Sequence, residues 1–145
     1  MHYMINTQGV VAECVCQKVR AAARSVTSAY DDALRPVRLR ASQLAVLAAV
    51  VGESSVSITS LAELLGMDRT TLSRNLRPLQ RDGLVNIGSE GWHRCRTLAI
   101  TKKGRSRLEQ AIPLWQRAQD NLRRQLGDRN WENVHTGLDR LTSAQ

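Results

Sequence analysis

The chain has 145 residues, of which 42% are hydrophobic and 23% are charged, and these values are typical of one folded domain or one subunit of an oligomer. The longest apolar run covers residues 44–51, whereas a membrane-spanning helix needs about 20 residues. The N-terminus lacks a cationic start, a hydrophobic block and a small-residue cleavage site, so we expect a cytoplasmic protein with no membrane partner. The three cysteines fit no disulfide framework.

The net charge is +8, and most of it lies in one segment. Residues 68–107 contain ten basic and three acidic side chains, so this segment alone holds a charge of +7. Such a concentration is typical of a protein that binds a polyanion. The alternative is a solvated, charge-rich surface, although a surface of that kind usually mixes both signs.

The first third of the chain is predicted to form two helices. Apolar residues from Val11 to Leu34 recur at steps of three and four, which predicts one long helix that Pro36 ends. A second helix is expected to begin at Ala41 or Ser42 and to run to Val51, followed by a polar loop at residues 53–57.

Two short helices are predicted next. Ser60 and Glu63 have the spacing of a capping box, which predicts a helix that stops at Gly66. Asp68 is the expected N-cap of a second helix over residues 68–82, which Gly83 terminates.

The last part of the chain is predicted to contain a hairpin and two further helices. The runs LVNI (residues 84–87) and RCRTLAI (residues 94–100) surround a glycine-containing loop, which predicts two antiparallel strands. Thr101 is expected to cap a long helix that ends at Leu126, and a final helix follows Gly127.

The 68–82 helix has two contrasting faces. At about 100° per residue, Leu72, Leu76 and Leu79 share one face. The other side carries hydroxyls and arginines, namely Thr70, Ser73, Arg74, Arg77 and Arg81. Two helices joined by a tight glycine turn, the second with a basic outer face, indicate a helix-turn-helix whose second helix fits the major groove of DNA. The alternative is that the arginines are only solvated.

The hairpin predicts a second contact with DNA. Four residues of its return strand have the same parity and point to one face, namely Arg94, Arg96, Leu98 and Ile100. The apolar pair would lie in the core, while the arginines nearer the tip would reach a minor groove, which attracts cations. The predicted fold is therefore mainly α-helical with a small β-hairpin wing, a winged helix-turn-helix with long N- and C-terminal helices.

The stretch LAELLGMDRTTLSRNLRPLQRDGLV, followed by HRCRTLAIT, resembles the MarR family of bacterial transcription regulators. The resemblance covers nearly the whole chain, because the long flanking helices also match the order of the family. It implies a sequence-specific transcription regulator that binds a pseudo-palindromic operator in double-stranded DNA as a homodimer. It also implies repression that a small ligand or an oxidant relieves.

The resemblance implies that Thr70, Ser73, Arg74 and Arg77 contact DNA and that Arg94 is the wing arginine. The predicted DNA-binding set also includes Arg69, Arg81 and Arg96. The family usually has an acidic residue two places before the wing arginine, but this chain has Trp92 there, followed by His93. Either Glu90 takes the role of that acid, or the wing is looser and contributes less affinity.

The chain is predicted to be a single subunit with two functional parts. The dimerisation helices cover about residues 11–34 and 104–145, and the DNA-binding lobe covers about 41–101. Trp131, Val134, Leu138 and Leu141 would form an exposed apolar patch in a monomer, which favours a dimer. The alternative is that these residues pack within one chain.

Two parts of the chain are candidate sites for sensing an effector. Cys14 and Cys16 are candidate redox sensors near the start of the first helix, and Lys18, Arg20 and the helix N-terminus favour thiolates there. The alternatives are that they are small buried hydrophobes or metal ligands, but the histidines are scattered and we expect no metal site. Tyr30, Gln43 and Trp115 are the candidates for a ligand pocket.

An enzyme is not expected. The chain has no glycine-rich phosphate loop, no HExxH pattern and no nucleophile elbow, and no cofactor is predicted. The alternative to a regulator is a redox-inert winged-helix protein that coats DNA or binds other proteins. Salt-dependent binding without sequence preference would indicate the coating role, and no DNA binding would indicate protein contacts.

Overall fold

The computed structural model of the chain describes residues 7–88 and 96–143. Helices form both ends of this part of the chain. They are α1 (Thr7–Glu13), α2 (Val15–Leu34), α6 (Lys102–Leu126) and α7 (Asp128–Ser143). Between them, a 3₁₀ turn (Arg35–Val37) leads into α3 (Ala41–Val50), β1 (Val56–Ser57), α4 (Ile58–Leu65), α5 (Arg69–Arg81), β2 (Val85–Ile87) and β3 (Thr97–Ile100).

The single helix predicted for residues 11–34 is wrong, because Cys14 divides it into α1 and α2. Cys14 has an extended backbone with φ −63° and ψ 116°, while its carbonyl oxygen accepts a hydrogen bond from the Lys18 N–H at 3.1 Å. This is the arrangement of an N-cap residue. The apolar spacing continues across Cys14 without glycine or proline, so the sequence contains no local signal for the break.

The capping box predicted for Ser60 and Glu63 is also wrong. The N-cap of α4 is Ser57, whose hydroxyl oxygen accepts a hydrogen bond from the Ser60 N–H at 3.0 Å. The helix therefore begins at Ile58 and includes Ser60 in its first turn. Its predicted end is confirmed, because Gly66 takes the left-handed conformation with φ 60°.

Two other predicted helix starts are confirmed. Asp68 accepts a hydrogen bond from the Thr71 N–H at 2.7 Å and caps α5. Thr101 accepts one from the Gly104 N–H at 2.9 Å and caps α6, which ends at Leu126 as expected.

The predicted hairpin is confirmed, but it belongs to a three-stranded antiparallel sheet of order β1-β3-β2. In the hairpin, Val85 pairs with Ile100. The third strand, β1, lies in the segment predicted as a polar loop, and it pairs Val56 with Leu98 of β3. A strand of only two residues, Val56 and Ser57, has almost no sequence pattern, and its pairing depends on residues far along the chain.

The hydrophobic core lies mainly in the central lobe and consists largely of leucine and valine, together with Ala62 and, from α6, Leu108 and Ala111. Its most completely buried side chains come from α2 to α5 and the sheet, and they are Leu34, Leu47, Leu61, Leu72, Leu79, Leu84, Leu98, Val46, Val50 and Val85. In contrast, α1 and α7 bury none of their residues, although α7 is amphipathic. No helix in the described part of the chain is long and apolar enough to cross a membrane.

Candidate nucleic-acid interface

The helix α5 is held in the lobe by its leucine face. Leu72, Leu76 and Leu79 are 0%, 3% and 1% exposed, as the predicted stripe requires. A second attachment joins α5 to α3, because the Ser42 hydroxyl donates a hydrogen bond to Asn75 Oδ1 at 2.7 Å. The orientation of α5 is therefore determined by apolar packing on one side and by a polar link to the helix behind it.

The opposite face of α5 is open to solvent. All five residues predicted there are exposed, namely Thr70, Ser73, Arg74, Arg77 and Arg81, and Arg69 in the first turn of the helix is exposed as well. At 100° per residue, Thr70, Arg74, Arg77 and Arg81 fall within about 60° of one another. Arg81 is paired with Asp82 at 3.4 Å, and within the described residues no hydrogen bond or ion pair holds the guanidinium of Arg69, Arg74 or Arg77. This face can thus donate hydrogen bonds to an external acceptor.

The first turn of α5 is already occupied by its own cap. Hydrogen bonds from the backbone N–H and the hydroxyl of Thr71 lower the pKa of the Asp68 carboxyl, and the charge of Arg74 adds to this effect. The carboxylate stays ionised at neutral pH and satisfies N–H groups that a phosphate would otherwise bind. The side chains of α5, and not its N-terminus, are therefore the groups available to a polyanion.

The wing is rooted as predicted. Leu98 is buried, Ile100 is partly buried and Arg96 is exposed, so the strand points inward at its base and outward towards the tip. The carbonyl oxygen of Arg96 accepts a hydrogen bond from the Ile58 N–H at 3.0 Å, which ties the strand to the start of α4. The predicted wing residue Arg94 lies outside the described residues, as do the residues considered as its partners, Glu90, Trp92 and His93.

Three basic residues in the first part of α6 bind backbone carbonyl oxygens of the chain. Lys103 Nζ donates to the carbonyl oxygen of Asp82 at 2.8 Å, and the Arg107 guanidinium donates to that of Val37 at 2.9 Å. Arg105 donates to the carbonyl oxygen of Val51 at 3.3 Å. These side chains connect α6 to the lobe, a role that the charge of the segment does not reveal.

An open cleft of about 1250 Å³ lies behind α5, between this helix, α2, the 3₁₀ turn and the start of α3. Six arginines line it, namely Arg24, Arg35, Arg38, Arg40, Arg74 and Arg81. Of the residues predicted to line a ligand pocket, only Gln43 lies in this cleft, where its Oε1 accepts a hydrogen bond from the Arg40 N–H at 3.0 Å.

The other two predicted pocket residues, Tyr30 and Trp115, help to attach the long helices to each other and to the core. The Tyr30 hydroxyl donates a hydrogen bond to Gln119 Oε1 and so connects α2 to α6, and partial burial raises its pKa. Trp115 is partly buried and packs against the core. The structure therefore does not bring Tyr30, Gln43 and Trp115 together around one cavity.

The two candidate redox cysteines lie at the junction of α1 and α2. Cys14 is partly buried and Cys16 is exposed, and both are free thiols. In residues 7–88 and 96–143, no group of three His, Cys, Asp or Glu side chains is arranged to hold a metal ion.

Comparisons with known proteins agree with this architecture. A family model described as a helix-turn-helix domain matches residues 36–87. The solved structure of the Mycobacterium tuberculosis transcriptional regulator MosR in complex with DNA is 38% identical in sequence, with a TM-score of 0.82 over 91% of this chain and 96% of MosR. A search of curated proteins by sequence finds no match.

Two further solved structures extend the comparison. The transcriptional repressor CouR, from Rhodococcus jostii, bound to a DNA duplex is 26% identical, with a TM-score of 0.80 over 93% of this chain and 96% of CouR. A variant of MarR from Escherichia coli in complex with operator DNA shares the fold at 18% identity and a TM-score of 0.79, over 92% of this chain and 96% of MarR. Since the match to MosR covers nearly all of both chains and these neighbours are MarR-type regulators, the chain belongs to the MarR family of winged helix-turn-helix transcription regulators.

Proposed function

We propose that this protein binds a specific operator in double-stranded DNA, with α5 in the major groove and the wing in the adjacent minor groove. The observation that carries this proposal is the exposed face of α5, where guanidinium and hydroxyl groups lie opposite a fully buried leucine stripe. The 38% identity to MosR, which was solved in complex with DNA, supports it.

The residues proposed to contact DNA would have different roles according to their position. Arg77 and Thr70 lie at the middle of the exposed face, where a side chain reaches base edges, and arginine pairs best with guanine. Ser73 and Arg74 would contact a base or the adjacent backbone. Arg69, Arg81, Arg94 and Arg96, nearer the ends of the surface, would hold phosphates and fix the register of the helix on the duplex.

Footprinting on the intergenic DNA beside the gene, followed by fluorescence anisotropy, tests the proposal. Losing one bidentate base contact costs about 1–3 kcal/mol, so Arg77→Ala should lower affinity for the operator roughly 5- to 150-fold and leave affinity for random DNA much less changed. Arg94→Ala should weaken both and lower the salt-dependence slope by about one unit. Arg129→Ala, on α7, is the control and should change neither.

Two results would contradict the assignment. Equal affinity for all duplexes would indicate a protein that coats DNA, and no binding to any duplex would indicate a winged helix used for protein contacts. Unchanged affinity and salt dependence in both arginine variants would mean that α5 and the wing are not the recognition surface.

We further propose that the functional unit is a homodimer formed by the dimerisation helices, residues 11–34 and 104–145, with 41–101 as the DNA-binding lobe. The support is apolar surface: Val134, Leu138 and Leu141 on α7 are 42%, 48% and 49% exposed, and Val11 and Val15 are 75% and 58% exposed. Exposed apolar residues that repeat on one helix face, as the three on α7 do, usually mark an interface. Light scattering should give about twice the 16.2 kDa of the chain, and a monomer at micromolar concentration would contradict the dimer.

Such a dimer would act as a repressor that a small ligand or an oxidant releases. Two α5 helices must reach half-sites about 34–36 Å apart, so a small change in their separation weakens both contacts at once. Cys14 and Cys16 are suited to an oxidant because they lie where α1 meets α2 and Cys16 is open to solvent. The arginine-lined cleft is suited to a ligand because it borders α5 directly.

A further inference from the structure

We propose that Asn75 is a positioning residue for DNA recognition. Its hydrogen bond with Ser42 fixes the rotation of α5 about its own axis, and thereby the preference of the protein for one DNA sequence over another. The inference rests on the proposed DNA-binding function and adds to it a residue that would not itself contact DNA. It follows from the place of a polar side chain on the packed side of α5.

Asn75 lies on the back of α5, opposite the side chains proposed to contact bases. At 100° per residue, it is about 160° from both Ser73 and Arg77. It is within about 60° of Leu72 and Leu79, and it is partly buried at the edge of their stripe. Asn75 is therefore a polar residue on the side of the helix that faces the lobe and not the DNA.

Both ends of the Asn75 amide are used inside the lobe. The Ser42 hydroxyl donates a hydrogen bond to Asn75 Oδ1 at 2.7 Å, and Asn75 Nδ2 donates to the carbonyl oxygen of Thr71 at 3.1 Å. Thr71 donates in turn to the N-cap Asp68, through its backbone N–H at 2.7 Å and its hydroxyl at 2.9 Å. The amide is thus held in one orientation and is linked to the first turn of α5.

Ser42 is itself held in place by the start of α3. The Ala41 N–H donates a hydrogen bond to Asp31 Oδ1 of α2 at 2.7 Å, so the first residue of α3 is attached to a long helix. Among the side chains that the structure describes, the Ser42–Asn75 bond is the one hydrogen bond that joins α5 to another helix. This bond therefore refers the orientation of α5 to a fixed part of the lobe.

The apolar face of α5 cannot supply the same precision. Leucine contacts are non-directional, whereas a hydrogen bond weakens steeply as its angle departs from the preferred value. A rotation of about 10° moves a side-chain group, at roughly 5–6 Å from the helix axis, by about 1 Å. Binding groups must be held within about 0.5 Å to recognise a partner precisely. Because base contacts carry sequence information and phosphate contacts do not, loss of the bond should affect discrimination more than total affinity.

Fluorescence anisotropy on the operator and on random DNA measures this discrimination as a ratio of affinities. Ser42→Ala and Asn75→Leu both remove the bond, and each should lower the ratio on the order of tenfold, as expected for one impaired base contact. The double variant should lose no more than either single variant, because both changes remove the same bond. Ser42→Thr keeps the hydroxyl donor and should retain the ratio.

Ser106→Ala is the matched control. It removes a serine hydroxyl that also binds a side-chain amide, since Ser106 Oγ accepts a hydrogen bond from Gln110 Nε2 at 3.4 Å, but both residues lie on α6. This variant should leave the ratio of affinities unchanged.

The double variant, Ser42→Ala with Asn75→Leu, separates positioning from folding. Replacing both partners of a hydrogen bond by apolar groups is nearly neutral for stability, and leucine favours a helix more than asparagine does. The urea midpoint should therefore be at least that of the unmodified protein while discrimination falls. Residual dipolar couplings of the α5 amides relative to those of α3, measured without DNA, should change in the double variant and stay unchanged in Ser42→Thr and Ser106→Ala.

The proposal is overturned if the couplings of the double variant equal those of the unmodified protein, or if its ratio of affinities is unchanged. It is also overturned if the affinities for operator and random DNA fall by the same factor, because Asn75 would then only support folding. An unmodified protein with no preference for its operator would refute the proposed function instead. The couplings would still decide, without DNA, whether Asn75 orients α5.

Discussion

Gly104 allows a sharp test of how the wing is attached to α6. It lies in the first turn of that helix, directly beneath the chain that enters β2. A Cβ at this position would be 2.0 Å from the carbonyl oxygen of Leu84 and 2.9 Å from Ile100 Cγ1. That carbonyl oxygen also accepts a hydrogen bond from the Thr101 N–H at 3.0 Å, so it cannot move away without loosening the wing from the helix.

The change Gly104→Ala should therefore destabilise the protein even though it places alanine in a helix. Replacing a glycine inside a helix contributes about 1 kcal/mol of stability, whereas overpacking a buried site costs about 1–3 kcal/mol. Because the clash is with backbone, we expect the upper end of that range and a net loss of about 2 kcal/mol. For a chain of this size, the midpoint of thermal unfolding should fall by about 4–8 °C.

Gly137 provides the matched control, because it lies inside α7 and a Cβ there would meet no atom within 4 Å. Gly137→Ala should stabilise the protein by about 0.5–1 kcal/mol through helix propensity alone. Urea unfolding followed by circular dichroism, with all samples at one protein concentration, measures both changes. The reasoning is refuted if Gly104→Ala is as stable as the unmodified protein, or if both substitutions shift the midpoint in the same direction.

Three other predictions concern the cap of α5, the dimer and the cysteines. Asp68 has a pKa below its ordinary value of 3.8, so the stability it provides is present above that pH and is lost as the pH falls through the folded-state pKa. Asp68→Asn should therefore flatten the decline of the urea midpoint below about pH 4, and an unchanged decline would refute this. Leu138→Glu should convert the dimer into monomers or unfold it, while Leu64→Glu, at a leucine 70% exposed on α4, should not; light scattering that shows the same mass for both variants would argue against an interface on α7. Hydroperoxide should weaken operator binding by the unmodified protein and not by the Cys14→Ser, Cys16→Ser double variant, and equal binding by the unmodified protein before and after treatment would leave the cysteines as packing residues.

The recognition unit was predictable because every signal that forms it is local. Asp68, the leucine stripe and the flanking Gly66 and Gly83 occupy fewer than 20 consecutive residues, and each acts through neighbours three or four positions away. The predicted span of 68–82 accordingly equals the observed helix Arg69–Arg81 together with its caps, Asp68 and Asp82. The same reasoning located α6 from Thr101 to Leu126.

The features that the sequence did not reveal depend on partners far along the chain. Strand β1 exists because Val56 pairs with Leu98, and the N-cap at Ser57 follows from the end of that strand. The break at Cys14 has no glycine or proline to announce it. For a related reason, Tyr30, Gln43 and Trp115 do not line one cavity. Spacing along a helix indicates which residues share a face, but it does not indicate which element will cover that face.

The distribution of charge shows how tertiary structure changes a conclusion that composition alone suggests. Segment 68–107 holds nearly all the net charge. However, Lys103, Arg105 and Arg107 donate hydrogen bonds to backbone carbonyl oxygens and so connect α6 to the lobe. Arg24 and Arg38 belong to the rest of the chain, whose charges nearly cancel, and folding brings both to the cleft beside α5. The positive surface around α5 is therefore assembled from three separate stretches of sequence. Arg74 and Arg81 belong both to the exposed face of α5 and to the lining of the cleft, so these two surfaces share side chains.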